Sequence, residues 1–123
     1  RDWFEVFVAQ NLVFDGLLYP LVYQHARKVL SPATGNALSL LTGFMDEWYD
    51  ENTRWVDATI KTAAEESPAN AELLSGWARR WTEAMHEALG PVALAALGND
   101  GARVLGDVRS ALSTRAARLG LAI

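Results

Sequence analysis

The sequence contains no cysteine. That excludes disulfides, thiolate metal ligands and a cysteine nucleophile, and it fits a reducing cytoplasm. No Gly-x-Ser-x-Gly and no glycine-rich phosphate loop occurs, so the common signatures of nucleophilic catalysis and nucleotide binding are missing. Apolar runs are broken by Asp15, Gly16, Gln24 or Asn36, too soon to span a bilayer on this reading. No signal peptide is visible, and neither is an initiator Met: the chain opens RDWFEVF. The expectation is therefore a piece of a longer polypeptide. The net charge of −4 argues against nucleic acid as a partner.

What is present is material for one small all-α domain. Half of the 123 residues are hydrophobic and 21% are charged, which is not the composition of a disordered chain. Four helices and no strands are expected. The first runs from about residue 2 to about residue 30. Asp2 and Glu5 have capping-box spacing, and Val6, Ala9, Val13, Leu17, Leu21 and Val22 form the apolar stripe. Pro20 should kink or split it. Ser31-Pro32 reads as the start of a second helix, with Ser as N-cap, running to about residue 66. Leu38, Leu41, Met45, Trp48 and Trp55 keep its period, and its length is roughly 50 Å at 1.5 Å per residue. Ser67-Pro68 repeats the signal. The third helix carries Leu74, Trp77, Trp81, Met85 and Ala88 and should break at Gly90-Pro91, before a short apolar helix from Pro91 to Leu97. Asn99-Asp100-Gly101 is a turn, and residues 98–123 form a terminal amphipathic helix beyond a first unit of 1–97. Helices this long in a chain this short read as part of a larger bundle. Five Trp residues fit that, since large aromatics on a small helical chain are often half of an interface.

The chemistry-bearing stretch is GFMDEWYDENTRW, residues 43–55. Glu47, Asp50, Arg54, Asp57 and Lys61 fall at steps of three and four and share a face. Asp50 with Arg54 and Asp57 with Lys61 are favourable i,i+4 pairs. Three readings stay open: a solvated face, a metal site, or a buried polar cluster with Arg54 as internal cation. A di-iron bundle needs Glu-x-x-His on two helices, and this helix has Asp50 where the His would stand. Glu83-Ala84-Met85-His86 is a literal Glu-x-x-His, but Arg79 one turn earlier points to an ion pair instead. His25, near the end of the first helix, reads as a helix-terminal cation or an interface contact. The basic last helix has its Arg residues scattered around the cylinder, which suits an acidic partner surface better than a membrane.

FVAQNLVFDGLLYPLVYQ, then a Ser-Pro helix start, then LLTGFMDEWYDENTRWVDATIK and NAELLSGWARRWTEAMHEALGP, together resemble the hydroxylase subunits of bacterial multicomponent monooxygenases. These act on phenol, toluene, alkenes or methane. The likeness is to the β (small) hydroxylase subunit of the phenol and toluene branch, and it covers roughly residues 2–95. It implies a ferritin-like bundle of which this chain holds the C-terminal helices. It implies a di-iron cofactor in the partner α subunit and none here, with Asp15, Glu47 and Asp50 as vestigial ligand positions. It further implies O2- and NADH-dependent hydroxylation by a cytoplasmic complex of α, a second β and a small γ subunit, with no nucleic acid and no membrane. The interface would rest on Trp3, Tyr19, Tyr23, Trp48, Trp55, Trp77 and Trp81. The alternatives are an active ferritin-like di-iron oxidase, using Glu47, Asp50, Glu83, His86 and an upstream segment, and a free-standing helical interaction module.

Overall fold

The computed structural model describes residues 2–34 and 37–123, and every described element is helical. Helix α1 spans 3–34. It is opened by Asp2, which sits in extended backbone and accepts the Phe4 N–H at 2.8 Å. Glu5 accepts from Trp81 Nε1 at 3.0 Å. It is 6% exposed and turns away to the third helix.

Two seven-residue stretches of α1, Val8–Phe14 and Pro20–Ala26, are π-helical. The Asp15 N–H reaches back five residues to the Gln10 carbonyl, and the Arg27 N–H to that of Val22. Each such turn holds more residues than an α turn, so the inward face advances in longer steps. The fully buried large side chains of α1 among the described residues are Val8, Leu12, Val13, Leu17 and Leu21. Val6, expected in the stripe, is 54% exposed. Pro20 neither splits nor ends the helix. It opens the second π-helical stretch, where the wider turn makes room for the ring and the missing N–H.

The helix also runs through Ser31-Pro32 and ends with Arg27–Thr34, so the expected Ser31 cap is not the helix start. The side chains of Ser31, Leu38 and Leu41 lie outside the described residues. Helix α2, Ala37–Glu65, follows, and buries Val56, Ile60 and Ala64. Ser67 caps α3 as expected: its Oγ accepts the Asn70 N–H at 3.1 Å and Pro68 takes the first turn.

Helix α3 runs unbroken over Pro68–Leu97, through Gly90-Pro91. Pro91 forfeits one backbone bond, but Leu89 and Ala93 on either side are 5% and 0% exposed. Their burial holds the helix across the defect. A 3-10 turn, Gly98–Asp100, leads to α4, Gly101–Arg118. The Leu121 N–H bonds back to the Ala116 carbonyl at 3.0 Å and closes the chain end.

One core joins all four helices, with α1 in its middle. Val104, Leu105, Val108, Leu112 and Ala116 of α4 pack into the same cluster as the α1 stripe. By length and composition Trp3–Val29 would pass for a membrane-crossing helix, contrary to the sequence expectation. Its few polar interruptions do not lower its apolar content enough. Its inward face is a core wall here.

Candidate functional site

Two polar clusters lie where α2 crosses α1. The first is aromatic. Tyr19 of α1 is 5% exposed and donates its hydroxyl to Asp46 Oδ1 of α2. Arg27, two turns further along α1, donates Nη1 and Nη2 to the other carboxylate oxygen at 3.2 and 3.1 Å, and also reaches Thr42 Oγ1 at 3.2 Å. The Tyr19 ring stacks on Tyr49 with centroids 3.9 Å apart and planes 5° off parallel. On its other side Tyr23 stacks at 4.9 Å and 22°. Gln24, Lys28 and Asp50 complete the lining of an open cleft beside Tyr19 and Asp46.

Burial, reinforced by the Asp46 carboxylate, pushes the Tyr19 phenol well above its ordinary pKa. The Tyr19 hydrogen bond first, then Arg27, holds Asp46 below the usual carboxylate range against the opposing effect of burial. A depressed carboxyl stabilises the fold above about pH 4, and that contribution is lost as pH falls through the folded-state value. A raised phenol stabilises below about pH 10, and the contribution is lost as pH rises through its folded-state value. Asp46→Asn should therefore flatten the acid limb of the stability curve, and Tyr19→Phe the alkaline limb. Urea titrations from acid to alkaline pH check both. Unchanged limbs would mean that the bond is not made in solution.

The second cluster lies one to two turns away. Arg115 of α4 is 8% exposed and holds Asp57 of α2 with Nε at 2.8 Å and Nη2 at 2.7 Å from Oδ1. Its Nη1 lies 3.4 Å from where a Cβ on Gly16 would stand, so the guanidinium passes directly over the α1 backbone. Asp15, next along α1, accepts from Gln10 Nε2 at 3.4 Å. Burial raises the Asp15 pKa, opposed by that bond and by the charge of Arg115. The Tyr49 phenol is likewise raised by burial and faces Arg115, Asp15 and Asp57.

The sequence-predicted residues are distributed differently from the expectation. Glu47, Asp50 and Arg54 are exposed on α2, and Asp57 alone of that face turns inward. Among the described residues the buried cation is Arg115, which reaches Asp57 from α4, while Arg54 is exposed on α2. Lys61 pairs with Glu65 at 3.8 Å instead of with Asp57. Glu83 is bound by Arg109, and Arg79 donates to the Ala122 carbonyl at 3.1 Å. Asp15, Glu47 and Asp50 are not brought together, and no group of three His, Asp or Glu side chains among the described residues is placed to hold a metal.

Of the expected interface residues, Trp3, Trp48 and Trp55 are 73%, 51% and 59% exposed. With Leu40 and Phe44 they line the outer side of α2 and the start of α1, and Phe7 meets Trp55 edge-on at 5.4 Å. Trp77 and Trp81 are half-buried against the core. Trp81 donates to Glu5 at 3.0 Å, and Arg80 pairs with the same carboxylate. Tyr19 is spent inside the chain. Tyr23 is half-buried at the end of the stack.

Comparison with known proteins gives a consistent picture. Residues 1–67 match the methane/phenol/alkene hydroxylase family. The chain is 47% identical over 121 residues to the oxygenase component DmpL of phenol 2-monooxygenase from Pseudomonas sp. (strain CF600). That alignment covers 98% of this chain and 36% of the relative. It is 28% identical over 80 residues to the hydroxylase component subunit beta of the toluene-4-monooxygenase system of Ectopseudomonas mendocina, covering 65% of this chain and 24% of that one. The crystal structure of xenon-pressurized phenol hydroxylase from Pseudomonas sp. OX1 superimposes with a TM-score of 0.89 at 40% identity, over 99% of this chain and 36% of that one. The chain thus spans about a third of the length of the phenol 2-monooxygenase relatives.

Proposed function

The chain belongs to the methane/phenol/alkene hydroxylase family, in its phenol and toluene branch, and from that premise we propose that it is the C-terminal part of a non-catalytic β subunit. It supports an iron-bearing α subunit in a cytoplasmic complex with a second β and a small γ subunit. The complex hydroxylates an aromatic or small hydrocarbon with O2 and electrons from NADH. The exposed apolar stripe of Leu40, Phe44, Trp48 and Trp55, with Trp3 beside it, is the surface that packing against other parts of such an assembly would cover.

The observation that carries the non-catalytic reading is the donor set. A di-iron centre needs four carboxylates and two histidines converging from a bundle interior. Here Glu47 and Asp50 face outward, Glu83 is occupied by Arg109, and a guanidinium stands against Asp57 and near Asp15. Those residues do not fit the metal pair. The Arg115 guanidinium already occupies Asp57, the member of the α2 face that turns inward.

Native mass spectrometry of the complex from its source cells tests the reading. The expected result is this chain's subunit in a two-fold assembly with larger subunits, with iron following the larger subunit alone. Two irons retained by this chain's subunit after separation would overturn the non-catalytic role. An isolated monomer would overturn the supporting one.

A further inference from the structure

The tyrosine stack has a geometry that a supporting role does not use. Three phenols lie in sequence across the α1–α2 crossing, Tyr23 on Tyr19 at 4.9 Å and Tyr19 on Tyr49 at 3.9 Å, both nearly parallel. Ring contacts this close couple one aromatic system electronically to the next. The middle ring is the most buried of the three. Its hydroxyl is aimed at a carboxylate, and that carboxylate is held in place from behind by Arg27.

We propose that Tyr19, Tyr23 and Tyr49 form a redox site in which Tyr19 gives one electron to a strong one-electron oxidant of the class that dioxygen reduction generates, while its phenolic proton passes to Asp46. The Tyr19 O–H bond breaks and an O–H bond forms on Asp46. Tyr19 is oxidised to a neutral phenoxyl radical and the oxidant is reduced by one electron. A later electron from an external reductant reverses both transfers.

Burial of the Tyr19 ring favours this coupling. A cation radical on Tyr19 would be a bare charge in a poorly solvated place, which is expensive. Moving the proton a hydrogen-bond length to Asp46 leaves the ring neutral. Arg27 serves both states, since it keeps Asp46 ionised beforehand and remains bonded to the same carboxyl afterwards. Tyr19 is the one of the three whose hydroxyl bonds to a carboxylate among the described residues, so the electron hole settles there. Tyr23 at the half-exposed end is the path outward, and Tyr49 the path toward the Asp15–Arg115–Asp57 cluster. The exposed Trp3, Trp48 and Trp55 are the competing donors.

This inference does not depend on the subunit role above, and its test supplies its own oxidant. The full chain is mixed with tris(bipyridine)ruthenium and a sacrificial electron acceptor, and oxidised by a laser flash. Radicals are read by transient absorption and by electron paramagnetic resonance after freezing. The expected result is a tyrosyl radical in the wild type and in Tyr23→Phe/Tyr49→Phe. Tyr19→Phe should lose it while tryptophanyl radicals persist. Asp46→Asn should slow its formation by about a hundredfold, the scale of a removed proton acceptor. The proposal is overturned if Tyr19→Phe retains the tyrosyl signal, if Tyr23→Phe/Tyr49→Phe loses it, or if Asp46→Asn forms it at the wild-type rate. The double variant keeps Tyr19 itself intact, so the idea stays exposed to refutation even where Tyr19→Phe folds poorly.

Discussion

Gly101→Ala should destabilise the chain by about 3 kcal/mol, the upper end of what overpacking a tight interior costs. A Cβ at this position would stand 2.4 Å from the Ala93 carbonyl oxygen, 2.6 Å from its carbon and 2.9 Å from the Leu94 nitrogen. These are backbone atoms inside a helix, so no side chain can swing aside to make room. The hairpin between α3 and α4 must open instead. That loosens Val104, Leu105 and Val108, which are 6%, 2% and 4% exposed, from the α3 face they cover. It also shifts the helix that delivers Arg115. Gly106 is the control. A Cβ there meets nothing within 4 Å, so Gly106→Ala should gain up to about 1 kcal/mol from helix propensity alone. Urea denaturation of the two variants side by side is the measurement. Equal stabilities would mean that the α3–α4 backbones do not approach as closely as the structure places them.

Gly101 also shows where sequence reasoning stops. Asn99-Asp100-Gly101 is legible as a turn from its residue types, but the reason for glycine is a contact with Ala93, eight residues earlier on another helix. The helices themselves are legible from period and caps: Asp2 and Ser67 cap as their chemistry predicts. Their interruptions are not. Pro20 and Pro91 each carry a local rule that says break, and Pro32 one that says start, yet each lies inside a continuous helical run. The buried Leu17 and Leu21 bracket Pro20, and Leu89 and Ala93 bracket Pro91, so tertiary burial outweighs a single lost backbone bond.

The polar site follows the same division. Counting by three and four finds an acidic face on α2 but cannot say which of its members turns inward. Asp57 has an i,i+4 partner in Lys61 by local rules, and its actual partner is Arg115, 58 residues away. Tyr19 and Asp46 are 27 apart, and nothing in either neighbourhood signals the other. The family resemblance was legible because it rests on the order of several segments rather than on any one pairing. Arg115 was not, because it comes from the last quarter of the chain, where the resemblance carries least.

The Arg115–Asp57 pair yields the second large expected effect. Arg115→Met should cost about 3 kcal/mol, since breaking a largely buried ion pair leaves the other charge uncompensated. The side chains of Arg115 and Asp57 are 10% and 26% exposed, so solvent screens the pair only in part and the lower end of the usual range applies. Asp15 adds a signature that simple loss of packing would not. Its pKa is already raised by burial and restrained by Arg115, so removing the guanidinium lets it climb further. A carboxyl with a raised folded-state value regains stability as pH falls through that value. The deficit of Arg115→Met should therefore shrink between neutral and mildly acidic pH, and Asp57→Asn in the same background should recover part of it at neutral pH. Arg54→Met, on the exposed face, should stay within about 0.5 kcal/mol of wild type. If instead Arg54→Met is the costly change and Arg115→Met the neutral one, the charge that balances these carboxylates lies on α2 itself. The last helix would then be packing alone, and the case against a metal at Asp15 and Asp57 would lose its main physical support.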